Sequence, residues 1–204
     1  VIIDGQKYHV DLTLDDPLYD MTGRVSHKFF MLSTPKLKAE QKDSGFTSPI
    51  DYDSTPVSTT YDNYFWHSSE SEFLLIGKTF YYFDTKNQVL KKWSGSSRTT
   101  VLELSASWRA SASSSWAGNY TRISRDGNSI LYSMPKGVFR YDTVTGETHT
   151  VLSPAKAQTG YNNIFGFTYL DGYLILDITA SPNYTSTTKT YNTVKVLYDS
   201  ADPG

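Results

Sequence analysis

Ser124-Arg125-Asp126-Gly127-Asn128-Ser129-Ile130-Leu131-Tyr132 reads as a β-hairpin: a short strand, a tight turn at Asp-Gly, and a second, more apolar strand. Glycine accepts positive φ without steric penalty, so Asp-Gly between two strand-forming runs is a strong local turn signal. The pattern recurs at Tyr169-Leu170-Asp171-Gly172-Tyr173-Leu174-Ile175-Leu176-Asp177. The last apolar segment, Thr193-Val194-Lys195-Val196-Leu197-Tyr198, is then expected to pair with residues 174–179 across the polar loop at residues 181–189.

Working outward, two aromatic strands enter a turn at Asp-Thr: Tyr81-Tyr82-Phe83-Asp84-Thr85 and Phe139-Arg140-Tyr141-Asp142-Thr143. A second strand follows each, ending at Trp93 and at Leu152, and the two hairpins are read as equivalent parts of a repeat. Asp84 and Asp142 lie roughly 58 residues apart, and Asp126 and Asp171 roughly 45, near the spacing of propeller blades. The longer interval holds a Ser/Ala-rich insertion at residues 105–116. The fold class expected is mainly β, with antiparallel hairpins in blade-like repeats (a partial propeller or a sandwich) after a short N-terminal α+β remnant. The domains are placed at 1–60 and 61–204, the change falling near Tyr61 after a loop-like stretch with Pro49 and Pro56.

One helix is expected, over residues 35–42, behind a Ser/Thr cap and before Gly45. Upstream of it stands Ile3-Asp4-Gly5-Gln6-Lys7-Tyr8-His9-Val10-Asp11-Leu12-Thr13-Leu14-Asp15-Asp16-Pro17. This stretch resembles the I-D-G-x-W-Y-H-V-D-x-T-W-D-D-P segment of bacterial transglutaminase-like domains, relatives of the cysteine proteases. Ser26-His27-Lys28-Phe29-Phe30-Met31-Leu32-Ser33 is similar to the strand that follows in that family. Lys7 and Leu14 replace its two tryptophans, and Thr34 stands where an aspartate is common.

The resemblance implies that Asp11 is the third member of a Cys-His-Asp triad, orienting a histidine that activates a cysteine for attack on a glutamine or peptide carbonyl. The chain has no cysteine, and none of His9, His27, His67 or His149 matches the family's histidine. Asp11 is therefore a remnant, inactive without a cysteine and histidine upstream, and the chain reads as part of a longer transglutaminase-like acyltransferase or cysteine peptidase. His9 and Asp11, two apart, would share one face of a strand, where a His-Asp pair could form.

Tyr 16 and Phe 10 against Met 3 favour pleated, half-buried surfaces. A net charge of -2, with scattered Lys and Arg, offers no field for nucleic acid. No apolar run is long enough to span a membrane. No cofactor motif is present, and the carboxylates Asp11, Asp15, Asp16 and Asp20 lack calcium-loop spacing, so no metal is expected. Glu70 and Glu72 read as solvated. Of the aromatic residues, Tyr61, Tyr64, Phe65, Trp66 and Trp93 read mostly as blade core, while Trp108 and Trp116, in the Ser/Ala tract, are candidates for binding a protein or glycan. The absence of cysteine and the Ser/Thr/Tyr-rich composition point to a secreted or cell-surface protein. Two further readings stand beside the transglutaminase-like one: a stand-alone all-β carbohydrate- or protein-binding module, and a glycoside-acting enzyme whose carboxylates meet only in space.

Overall fold

Short strand-prone runs, several of them closed by a glycine or Asx turn, give a chain dominated by antiparallel sheets. The structure is a computed structural model that describes residues 1–15, 25–43, 45, 57–85, 87–104, 122–180 and 192–199. Within these, contacts divide the chain into two compact units, one running to Ser69 and the other starting at Glu70.

The first unit opens with the hairpin β1 (Ile2–Ile3) and β2 (Gln6–Lys7), followed by β3 (His9–Val10), the one-turn helix α1 (Leu12–Asp15), β4 (Phe30–Leu32) and α2 (Thr34–Asp43). β3 pairs with β4 antiparallel, with a register shift that leaves Met31 bulged at φ 59. The helix expected over residues 35–42 is α2, and Ser33 Oγ accepts from the amide of Lys36 at its start. It is not the only helix. α1 and a 3-10 turn, η1 (Phe65–Ser68), are single turns closed by local bonds that no apolar periodicity announces.

The aromatic run beyond Tyr61 belongs to this unit rather than to the blades. Tyr61 packs on Tyr8 and on Trp66, Trp66 on Phe30, and Tyr64 on Trp66, with ring centroids 4.3 to 5.8 Å apart. These contacts carry the first unit on to Ser69, past the point where composition changes.

The second unit contains three antiparallel meanders. The first sheet runs in the order β5 (Leu74–Ile76), β6 (Thr79–Asp84), β7 (Val89–Trp93), β8 (Arg98–Glu103). The second holds β9 (Ile123–Asp126), β10 (Ser129–Met134), β11 (Gly137–Asp142) and β12 (Thr148–Leu152), ordered by pairing as in sequence. A one-turn helix, α3 (Pro154–Ala157), capped by Ser153 with proline at its first position, leads to the third sheet. That sheet has three strands, β13 (Asn163–Leu170), β14 (Tyr173–Thr179) and β15 (Asn192–Leu197). β15 pairs with β14 from Tyr173 opposite Leu197 to Ile178 opposite Asn192, as the sequence implied. Among the described residues no sheet closes on itself.

The structure corrects the register of the repeat. The Tyr81–Thr85 motif lies on the second strand of its sheet and the Phe139–Thr143 motif on the third strand of the next. The two look alike because they build the same local turn. The Asp84 carboxylate accepts from the amide of Asn87, and the amide of Gln88 donates to the carbonyl of Asp84. The Asp142 carboxylate accepts from Val144 and Thr145, and the amide of Gly146 donates to the carbonyl of Asp142. The true equivalents are the three two-residue turns that join first to second strands: Gly77-Lys78, Gly127-Asn128 and Asp171-Gly172.

Alternation along β10 packs the three sheets together. Ile130 and Tyr132 face Leu74, Ile76, Tyr81 and Phe83 of the first sheet. Leu131, between them in sequence, faces Ile164, Phe167, Leu174 and Ile178 of the third. Ser129 to Ser133 are all buried, so this strand is sealed on both faces.

Ile130→Ala and Leu131→Ala should therefore each lose about 2 to 5 kcal/mol in urea unfolding, while Val144→Ala, at a site 78% exposed, should stay within about 0.5 kcal/mol. A second expectation concerns the matched Asx turns, where Gln88 holds φ 59 at the position Gly146 fills with φ 79. Gln88→Gly should raise stability by about 1 kcal/mol in the same assay, because only glycine adopts this conformation without a Cβ penalty.

Candidate functional site

The backbone turns out of β3 at Asp11, which places this residue at the start of α1 rather than within a strand. Its Oδ1 accepts the amide of Leu14 at 3.1 Å, closing the N-terminal turn of α1, and its Oδ2 accepts the side-chain amide of Gln41 on α2 at 3.1 Å. The backbone amide of Asp11 donates to the carbonyl of Phe29 at 3.1 Å. Asp11 thus ties α1 to α2 and to the segment before β4.

The His9-Asp11 pair is not formed. The strand ends at Val10, so the alternation that would align the two side chains is lost at Asp11, and His9 Nε2 shares a 2.8 Å hydrogen bond with Thr34 Oγ1. Burial lowers the pKa of His9, with the N-terminal ammonium adding to the effect.

Near Asp11 lies Asp15, and Asp15 in turn interacts electrostatically with His27 and His67. Asp15 is buried, its Oδ1 accepting the amide of Phe29 at 2.7 Å and the hydroxyl of Ser26 at 3.2 Å. Burial pushes its carboxyl up, and these donors only partly offset that. His27 Nδ1 donates to the carbonyl of Ser69 at 3.0 Å, and His67 Nε2 donates to the carbonyl of Phe30 at 2.9 Å. Both imidazoles are held below their ordinary pKa, first by burial. The signal in the sequence was the pairing of S-H-K-F-F with a later F-W-H-S, legible only once the aromatic packing is known.

In the second unit, polar groups concentrate where first strands meet. The hydroxyl of Ser124 donates to Glu72 at 2.7 Å and its oxygen accepts the amide of Tyr169 at 3.2 Å. Ser71 Oγ accepts the amide of Ile123 at 3.0 Å, and the Arg125 guanidinium donates to the carbonyl of Leu75 at 2.8 Å. Glu72 is thus partly buried rather than solvated, and desolvation raises its pKa against the opposing Ser124 bond. Beyond this seam, Asp84 is buried with Lys91 Nζ at 2.6 Å. Burial alone would raise the carboxyl, but Lys91 and Asn87 outweigh it and hold it below the usual range.

Trp108 and Trp116 lie outside the described residues, as do Asp16 and Asp20. Among the described residues no cluster of three or more His, Asp or Glu side chains is placed to hold a metal ion, and no helix is long and apolar enough to cross a membrane. No protein-family model matches the chain, and no curated protein matches it either.

If Asp11 works as a cap and a tie to Gln41, Asp11→Ala should cost about 1 to 2 kcal/mol of stability. Asp11→Asn, which keeps an acceptor for Leu14, should cost less. Thermal unfolding of the two variants beside Gln41→Ala checks the assignment, and near-additive losses for Asp11→Ala with Gln41→Ala would count against the shared bond.

Proposed function

We propose that the chain is a non-catalytic part of a transglutaminase-like surface protein, with the three-sheet unit serving as an interaction or spacing module. The observation that carries the interaction half is a row of apolar side chains on the third sheet, on the face turned away from the second. Leu170 and Leu197 are 56% and 71% exposed, and the registered pairs Leu170 opposite Tyr173 and Tyr173 opposite Leu197 place them on one face. Lys195 Nζ stands 3.8 Å from the centroid of the Tyr173 ring, adding a cationic margin. Apolar surface rimmed by charge favours a protein partner over a nucleic acid.

The non-catalytic half rests on chemistry. An acyl transfer of the family's type needs a thiolate, and the 204 residues contain no cysteine. The one residue that the family likeness marks, Asp11, spends its carboxylate on α1 and Gln41. Surface localisation is supported by the Ser/Thr/Tyr-rich, cysteine-free composition. A stand-alone glycan- or protein-binding module is the second reading, favoured by the aromatic content of the β-rich unit.

Two assays separate these readings from an enzyme. Incubated with a glutamine-containing peptide and a primary amine, the protein should incorporate no amine, and Asp11→Ala should change nothing; incorporation that depends on Asp11 would overturn the non-catalytic reading. On peptide and glycan arrays, binding that falls at least tenfold in Leu170→Ser/Leu197→Ser, with circular dichroism unchanged, supports the interaction role. Wild-type protein that binds neither array leaves spacing as the function of this unit.

A further inference from the structure

Among the described residues the third sheet stops one strand short of its neighbours. In the first and second sheets a fourth strand, β8 or β12, lies outside the third, and each joins it with a register shift that interrupts the ladder. In the third sheet β15 is itself outermost, and among the described residues no strand pairs with its far side. Its ladder with β14 runs through six consecutive pairs without a shift. A bulge blunts an open edge against further pairing, and of the three outer strands β15 is the one that keeps a regular edge.

The register identifies what that edge offers. The amide of Tyr198 donates to the carbonyl of Gly172 at 2.9 Å, so by the alternation of an antiparallel ladder Val196, Val194 and Asn192 also turn their backbone groups toward β14. Thr193, Lys195, Leu197 and, by continuation, Asp199 turn theirs outward. These four residues are exposed, whereas Val194 and Val196 are half-buried and Tyr198 is buried, as alternation requires. The hydroxyl of Thr193 donates to Asp177 at 2.7 Å, and the Lys195 ammonium rests on the Tyr173 ring with no carboxylate partner among the described residues. Both side chains are drawn back over β14, so the lysine that would guard the edge does not reach across it.

We infer that β15 pairs antiparallel with β15 of a second copy of this chain, about a two-fold axis at Leu197; this names the partner of the interaction surface proposed above and rests on that reading. Lys195-Val196-Leu197-Tyr198-Asp199 is self-complementary in this register. Leu197 lies opposite the partner's Leu197, and Lys195 lies opposite the partner's Asp199, an ion pair that the two-fold repeats. Each of these opposed pairs exchanges two backbone hydrogen bonds. Neighbouring registers lose the match: an axis at Lys195 opposes two ammonium groups, and one at Val196 sets each lysine against a leucine. The apolar row fits the same axis. Leu170, Tyr173 and Leu197 stand directly opposite one another across β13, β14 and β15, so the row runs straight to the edge and the two-fold continues it into the second copy. Leu197, the most exposed of the three, sits at the axis, where pairing covers it.

Sedimentation velocity of the full chain without ligand, from about 1 to 500 µM, tests the pairing. Wild-type protein should pass from monomer to a species of twice the mass as concentration rises. Leu197→Pro removes the outward N–H at the axis and none that bonds β14, so circular dichroism and thermal unfolding should show the fold retained while association weakens at least about tenfold. Lys195→Glu opposes the partner's Asp199 and should weaken association about fivefold; adding Asp199→Lys should restore it to within about twofold of wild type. Wild-type protein that stays monomeric throughout would overturn the pairing, as would a dimer that neither Leu197→Pro nor Lys195→Glu weakens. A monomer that still binds an array peptide or glycan through Leu170 and Leu197 would refute the pairing and leave the interaction role standing, whereas a monomer that binds neither array would refute both.

Discussion

The second unit depends on one strand being covered on both sides. β10 sends Ile130 and Tyr132 into the first sheet and Leu131 into the third, so a period-two pattern serves two cores at once. A one-residue slip would exchange the two faces and present each neighbour with the wrong set of side chains, which makes the register of this strand the most strongly determined in the chain. The outer strands face no such demand. β8 and β12 are largely exposed and carry charged or hydroxyl side chains.

Polar contacts work alongside this apolar packing. The first strands, or the residues just before them, are joined by Ser71, Glu72, Ser124 and Arg125, which bond across from sheet to sheet through backbone groups and one carboxyl. An apolar core tolerates many arrangements of similar volume, whereas a buried hydroxyl placed between a carboxyl and an amide does not. The seam fixes which residues meet, and burial supplies most of the stabilisation. That division explains why groups able to do chemistry, Glu72 and Ser124 among them, serve the architecture.

Much of the second unit was legible from residues alone. Asp126-Gly127 and Asp171-Gly172 mark hairpins because their geometry is local, and the partner of β15 followed from what remained. The equivalence of Asp84 with Asp142 misled for the same reason: an Asx turn looks alike wherever it closes a hairpin, and its sequence does not say which strand of a meander precedes it. The structure of the opening stretch was not legible. Alternation through Val10 suggested a strand running on to Asp11, whereas the side chain of Asp11 starts a helical turn, and a bulge at Met31 shifts the pairing. The hydrogen bonds of His27 to Ser69 and of His67 to Phe30 span 42 and 37 residues of sequence, and no local pattern encodes such a meeting.

The functional reading follows from how these groups are used. Asp11 acts as a cap, Glu72 as a seam, and the surface left over on the third sheet is apolar with a lysine at its margin. The middle sheet organises the unit. Site-resolved amide exchange across residues 70–204 tests this most directly. The account predicts that β10 carries the slowest amides and that β6 and β14 exchange with it as one cooperative group; a fast-exchanging β10 between two independently protected outer sheets would contradict it.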